Sequence, residues 1–382
     1  MNDFLYEVEE NNFIFPDYKN SNLSIIKDIA SRKKSTGKKK KKIFMLVDGL
    51  GYNLLSKTLT ERKIDFIKNY KIEKISTVFP STTVVALTSI ETGLTPSEHG
   101  MVGWRIYSKE LGTVVAPYKD SPALYEKNKF NRVNIQNIIP KPKLLVKMAE
   151  DRNVMILLER TIENSPFNCS SNITIDRYIM QSDMILNLKN EVIKDKYDFI
   201  YVYYSLIDSI EHKYGPISEA SINATALLLN ELENVLLPAL EESDYNLIIT
   251  ADHGQTNVNK WLTIGNKSKI MNYLSDPPWG DARIMFANVS PKYESDFKEY
   301  VVKKYSKYII LKDSDEVIST GIFGKNKIDE KIRYRFGTHI LIAKNNVALD
   351  YSYPNINQNN KRPIGIHSGL LENEMSVPLV II

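Results

Sequence analysis

The stretch IFMLVDGLG, residues 43–51, decides how this chain is read. Five apolar residues in a row, without the alternation of a half-exposed strand, describe a strand buried on both faces. Asp48 follows at once, and Gly49 lets the backbone turn tightly beside it. Two more runs share this make-up: FIYVYY at Phe199–Tyr204 and NLIIT at Asn246–Thr250. Amphipathic stretches separate the runs, the longest over 217–240 with ATALLLNELENVLLPAL, and a shorter one over Leu23–Ser31. Strands alternating with helices predict an α/β fold with a largely parallel central sheet flanked by helices on both faces.

From about 267 to 346 the texture changes. ARIMFANV, SDFKEYVVKKYS, YIILKDSDEVIS and RYRFGTHILIAKNN read as strand, helix, strand and strand, a small α/β insert. The predicted organisation is therefore a catalytic domain of residues 1–266 and 347–382, interrupted by an insert or cap at 267–346. At 382 residues, 43% apolar and 25% charged, the chain can bury a large core without covalent staples. Its one cysteine, Cys169, excludes an internal disulfide and fits a reducing compartment. The acidic start MNDFLYEVEE lacks the basic and apolar halves of a secretory signal, and no apolar run reaches the ~20 residues of a membrane span. The expectation is a soluble cytoplasmic protein with no membrane partner.

Ligands of open α/β sheets collect beyond the carboxyl ends of the strands. Each strong strand delivers acidic or imidazole groups there. The first gives Asp48. The second leads into SLIDSIEHKYGP, where Asp208 and His212, four apart, share one face of a helical turn. The third gives Asp252 and His253 in ITADHGQT. His367, between glycines in GIHSG, is the natural third imidazole. Singly, each is ordinary turn or ion-pair chemistry; together they form a donor set suited to zinc, with manganese or iron as alternatives. Six ligands exceed one tetrahedral ion, so the reading is two divalent metal ions.

Between the first two strands lies STVFPSTTVVALTSIETG, Ser76–Gly93. Its hydroxyls admit two readings. Ser81 or Thr82 caps a helix from about Thr83 to Thr92 ended by Gly93, or one hydroxyl serves as a nucleophile on the helix N-terminus.

The order Asp48, hydroxyl before a helix, Asp208-x-x-x-His212, Asp252-His253 and His367 resembles the alkaline phosphatase superfamily. VDGLG, ETGLTPSEHGMVGW, DSIEHKYGP and ADHGQT match most closely its nucleotide pyrophosphatase/phosphodiesterase (type I phosphodiesterase) branch. The resemblance spans residues 43–370. It implies an alkaline phosphatase-like fold and a hydrolase cleaving phosphodiester or pyrophosphate bonds through a covalent phosphothreonine. In that branch the nucleophile lies ten residues before the glycine of a TG pair, which points here to Thr83. The family pattern further implies one zinc held by Asp208, His212 and His367, and another by Asp48, Asp252, His253 and the Thr83 oxygen. The expected partner is a small phosphorylated, nucleotide-like substrate, with no stable nucleic-acid partner.

Two rivals remain at this level. One is a phosphomonoesterase or phosphonate hydrolase on the same metals. The other is a basic nucleic-acid-binding module without catalysis, using the unbroken run Lys38–Lys42. No aromatic interleaving supports that module, and the run reads instead as a solvated loop entering the first strand. His99 and His339 are expected to be structural, and Cys169 inert. Trp104, Tyr107 and Arg283 could line a substrate cleft, though core or surface roles suit them better.

Overall fold

The three apolar runs lie side by side in one sheet. The computed structural model describes residues 3–119, 121–122, 135–162, 172–265, 267–324, 327–353 and 362–382; Cys169 falls outside these. The main sheet has seven strands: β1 Lys41–Val47, β2 Ile72–Ser76, β3 Val154–Glu159, β4 Ile173–Tyr178, β5 Phe199–Tyr204, β6 Tyr245–Thr250 and β7 Ser376–Ile381. Their spatial order is β2-β7-β6-β1-β5-β3-β4. Pairings among β6, β1, β5, β3 and β4 are all parallel, as predicted, whereas β7 runs antiparallel to both β6 and β2. Every residue of β5 and β6 is buried, which requires helices on both faces and explains why these runs do not alternate.

Register fixes the level of the strand ends. Val47 pairs with Tyr204, and Leu46 pairs with both Tyr203 and Thr250. Asp48 and Asp252, each two residues past the Leu46–Thr250 pair, therefore leave the sheet at the same height.

The helices follow the amphipathic pattern, with one refinement. Leu23–Ser31 is realised as helix Asn22–Ala30, its N-terminus closed by a Ser21–Ser24 capping box. The 217–240 stretch begins as helix Glu219–Glu231, widens into a π turn at Leu232–Leu236 and resumes at Leu237–Glu241. Pro238, which lacks an N–H and crowds the carbonyl four residues back, accounts for the widened turn.

A second hydrophobic core gathers around a four-stranded antiparallel sheet ordered Trp279–Asp281, Ile284–Ala287, His339–Ala343, Ile309–Asp313. Helix Glu294–Tyr305 lies between its second and third strands in sequence. This core also takes in Phe79, Met101, Val102, Leu370 and Met375. Those residues flank helix Thr83–Thr92 and the His367 loop, so this second core packs against both segments.

The lysine run lies at the amino ends of the strands, away from the strand-end aspartates. Lys41 and Lys42 already belong to β1. Lys42 is buried, and its ammonium group donates to Gly37 O and Asn246 Oδ1, both at 3.0 Å. Lys39 donates to Leu240 O at 2.6 Å, and Lys41 pairs with Asp195 at 2.8 Å. Among the described residues, no helix is long and apolar enough to cross a membrane.

Candidate metal centre

Asp48 and Asp208 meet because a glycine stands between them. Gly49 has φ +79°, and a Cβ there would lie 2.7 Å from Asp208 Cα. Asp208 N donates to Asp48 O at 3.0 Å across this contact. Gly254, after His253, is needed for the same reason: its Cβ would lie 2.2 Å from Asn373 O.

The carboxylates and imidazoles converge as the sequence spacing suggested. Helix Leu206–Tyr214 carries Asp208 and His212, with His212 Nε2 3.3 Å from Asp208 Oδ2. His367 Nε2 lies 3.8 Å from Asp208 Oδ1. His253 Nε2 lies 3.4 Å from both Asp48 Oδ1 and Asp252 Oδ2. The rings of His253 and His367 stack with centroids 3.8 Å apart. Two groups emerge with ligand atoms close enough to share an ion: Asp208, His212 and His367, and Asp48, Asp208 and His253. Asp208 stands in both. Asp252 adjoins the second through His253.

The hydrogen-bond pattern sets the tautomers. His212, His253 and His367 each place Nδ1 against a backbone oxygen: Gly365 O at 2.8 Å, Gly254 O at 3.2 Å and Ser81 O at 3.3 Å. A carbonyl can only accept, so each Nδ1 carries the proton and each Nε2 presents a lone pair to the carboxylates. Donors likewise occupy one oxygen of each carboxylate. Tyr203 donates to Asp48 Oδ2, Gln255 Nε2 to Asp208 Oδ1 at 2.5 Å, and Gly49 N and His253 N to Asp252 Oδ1 at 3.1 and 3.0 Å. Asp48 Oδ1 and Asp252 Oδ2 are buried without a donor.

Lone pairs therefore face unsatisfied carboxylate oxygens in a buried space, an arrangement that a bound cation would reconcile. Without one, burial and then the neighbouring carboxylates push Asp48 well above the usual range, and burial pushes Asp252 up to about 7. Burial holds His253 down at about 3, and burial followed by His253 lowers His367. The donor set of carboxylates and neutral imidazoles fits a divalent transition ion.

The hydroxyl pair resolves into two different environments. Helix Thr83–Thr92 forms as predicted and ends at Gly93, φ +73°. The capping reading does not hold in its simple form. Thr82 occupies the cap position but its hydroxyl donates to Asp281 Oδ2 at 2.8 Å, and Ser81 Oγ donates to Gly369 O at 2.7 Å. Thr82 is fully buried. Thr83 is half-buried, and its Oγ lies 3.0 Å from His253 Nε2.

The other histidines stay outside the centre. His99 accepts from Met101 N at Nδ1 (3.0 Å), so Nε2 carries the proton toward Ser89 Oγ at 2.8 Å. His339 is 3% exposed and lies 2.9 Å from Asp313, in a surface group with Glu294. Arg283 does not line a cleft; it is fully buried against Glu374. Tyr107 packs against Trp279, and Trp104 N donates to Asp281 Oδ2 at 3.3 Å. Sequence reading missed Tyr203, Gln255, Asp281 and Glu374. Tyr203 had a signal: a phenol in an all-buried strand needs a polar partner, and Asp48 lies two residues past its paired Leu46, on the same face of β1.

A family model described as type I phosphodiesterase / nucleotide pyrophosphatase matches residues 42–369. The chain belongs to this family. It is accordingly a hydrolytic enzyme of the alkaline phosphatase superfamily. Among solved structures, it is similar to murine ectonucleotide pyrophosphatase/phosphodiesterase 5 at TM-score 0.65 and 14% identity, covering 89% of this chain and 87% of that one. An inactive variant of the murine protein in complex with AMP gives the same figures. Phosphonoacetate hydrolase from Sinorhizobium meliloti 1021, in complex with phosphonoacetate, matches at TM-score 0.65, 15% identity and 90% of both chains. At these identities the likeness is one of fold. No curated protein matches the sequence.

Proposed function

We propose that this type I phosphodiesterase-family protein is a two-metal hydrolase of small phosphodiesters or pyrophosphates, with nucleotide-like substrates, acting through a phosphothreonine on Thr83. The carrying observation is the position of the Thr83 hydroxyl. It stands on the first turn of helix Thr83–Thr92, 3.0 Å from His253 Nε2, which itself lies 3.4 Å from two donorless carboxylate oxygens. No side chain caps that helix end; Val85 N turns back to Thr82 O at 3.0 Å, which leaves the N–H groups of Thr83 and Val84 for an anionic phosphoryl group.

Asp208, His212 and His367 would hold one ion, and Asp48, Asp252 and His253 the other, with Asp208 close enough to serve both. Bound zinc, or manganese or iron, supplies charge that neutralises the carboxylates, polarises the phosphoryl group and lowers the pKa of the attacking hydroxyl. Thr83 Oγ then attacks phosphorus, the ester bond to the leaving group breaks, and the phosphoryl group rests on Thr83 until water releases it. Tyr203 and Gln255 hold the Asp48 and Asp208 carboxylates in place. Thr82, tied to Asp281, fixes the helix entry from the 267–346 segment, which we read as a cap.

Relatives in complex with AMP and with phosphonoacetate support a small phosphorylated substrate. A phosphonate hydrolase on the same site is the second reading. The lysine run lends little to a nucleic-acid module, since Lys39, Lys41 and Lys42 are bonded within the chain. The lone cysteine supports a cytoplasmic setting. Metal analysis of purified protein, with kcat/KM for bis-p-nitrophenyl phosphate and for p-nitrophenyl phosphate, tests the proposal. Bound transition metal and a ratio favouring the diester are expected. Diesterase activity that persists in chelator with no bound metal would overturn it.

A further inference from the structure

We infer that Arg105 is a second substrate anchor, receiving an oxyanion carried beyond the scissile phosphorus. The inference rests on the phosphoryl-transfer reading of the site.

Asp281 gives the location. Its Oδ2 accepts from the Thr82 hydroxyl at 2.8 Å and from Trp104 N at 3.3 Å. These two groups share one oxygen, so they lie within about 6 Å of each other. Thr82 is followed by the proposed nucleophile, and Trp104 by Arg105. The Arg105 backbone is locked by a reciprocal pair of hydrogen bonds with Gly280, each 3.1 Å. Arg105 is thus held rigidly one residue from a group that touches the entry of the nucleophile helix.

Its side chain makes no ion pair, although its charge reaches the buried Asp281 carboxylate and lowers that group's pKa against burial. Asp281 is filled by other donors, with Oδ1 accepting from Ala282 N at 2.8 Å. Among the described residues, no carboxylate lies within ion-pair distance of Arg105, and its guanidinium makes no hydrogen bond; the Nε is buried without a partner. Stacking holds it instead, with Cζ 4.8 Å from the centre of the Tyr353 ring. Arg283 differs sharply, since its guanidinium is bonded to Glu374, Asn345 O and Val347 O. A planar fork fixed on an aromatic face and only part-buried is a preorganised receptor for a carboxylate or phosphoryl group. The substrate class that follows carries two anions, one at the scissile phosphorus and one a short distance along the leaving group.

The test compares metal-loaded wild type with Arg105→Met and Arg105→Lys. Inhibition constants are measured for methylphosphonate, methylenediphosphonate and 3-phosphonopropionate, with bis-p-nitrophenyl phosphate as reporter substrate. The wild type should favour a two-anion ligand over methylphosphonate, and Arg105→Met should lower that preference by about 30-fold, with Lys restoring only part because it lacks the fork. Loss for methylenediphosphonate alone assigns a phosphoryl group, and loss for 3-phosphonopropionate alone a carboxylate. An equal loss for all three ligands, or none, would overturn the assignment. Should the wild type fail to turn over the reporter, the phosphoryl-transfer reading falls, and calorimetric titration of the three phosphonates still decides the Arg105 assignment by the same comparison.

Discussion

Arg283 and Glu374 form an ion pair in which both side chains are 0% exposed, Nε to Oε1 at 3.0 Å. Glu374 also accepts from Gly369 N at 2.8 Å and Leu371 N at 3.2 Å, while Arg283 N donates to Ser368 Oγ at 2.9 Å. The pair thereby ties the segment before residue 346 to the loop that presents His367. Removing one partner leaves a buried charge uncompensated. Arg283→Met is expected to lose about 3–5 kcal/mol of stability and to weaken metal binding, read by urea denaturation and metal titration. An unchanged urea midpoint would show that the pair does not hold the loop.

Thr83→Ala should retain its metals yet lose hydrolysis by several orders of magnitude, because Asp48, Asp252 and His253 remain. Thr83→Ser, which keeps the hydroxyl, should retain substantial turnover. Thr82→Ala should hydrolyse substrate but unfold more easily by about 1–3 kcal/mol, since it leaves buried Asp281 short of a donor. Mass spectrometry of acid-quenched enzyme should find phosphate on Thr83. Label on Thr82 would reverse the assignment.

Tyr203→Phe deletes the donor to Asp48 Oδ2 without changing the packing of β5. Zinc affinity should fall about 10–100-fold, as for other groups that orient a ligand. Competition against a chromophoric chelator measures it directly, and wild-type affinity in the variant would remove Tyr203 from the centre.

His367→Ala should strip metal and activity, whereas His339→Ala should spare both, because His339 lies with Asp313 and Glu294 on the four-stranded sheet, outside the centre. Metal content of the two purified variants distinguishes them. The opposite pattern would move the third imidazole to His339.

Glu91, on helix Thr83–Thr92, is 3% exposed, and burial pushes its carboxyl from 4.5 up to about 8. Between those values the folded chain keeps a proton that the unfolded chain has lost. Its contribution is thus complete below pH 4.5 and lost as pH rises through about 8, at about 1.4 kcal/mol per unit. Glu91→Gln cannot ionise. Its stability relative to wild type should therefore improve between about pH 5 and about pH 8.5, as followed by urea denaturation at both. A constant difference would mean that Glu91 keeps its ordinary pKa.

Local composition determined the sheet, because β1, β5 and β6 must be buried on both faces and only flanking helices achieve that. It also determined where polar chemistry could gather, since parallel strands deliver their carboxyl ends to one edge. Asp48, Asp208, His212, Asp252 and His253 were legible from strand ends and spacing, His367 from the glycines around it, and the structure brings them together. What the sequence left open depended on contacts between segments far apart in the chain. The antiparallel course of β7 is one, because an apolar run carries no sign of direction. The roles of Thr82 and Thr83 are another: adjacent and chemically alike, they separate only when Asp281, some 199 residues away, takes one hydroxyl and His253, 170 residues away, meets the other. Gln255 and Glu374 were hidden for the same reason. A buried polar side chain is defined by its partner, and tertiary packing alone chooses that partner.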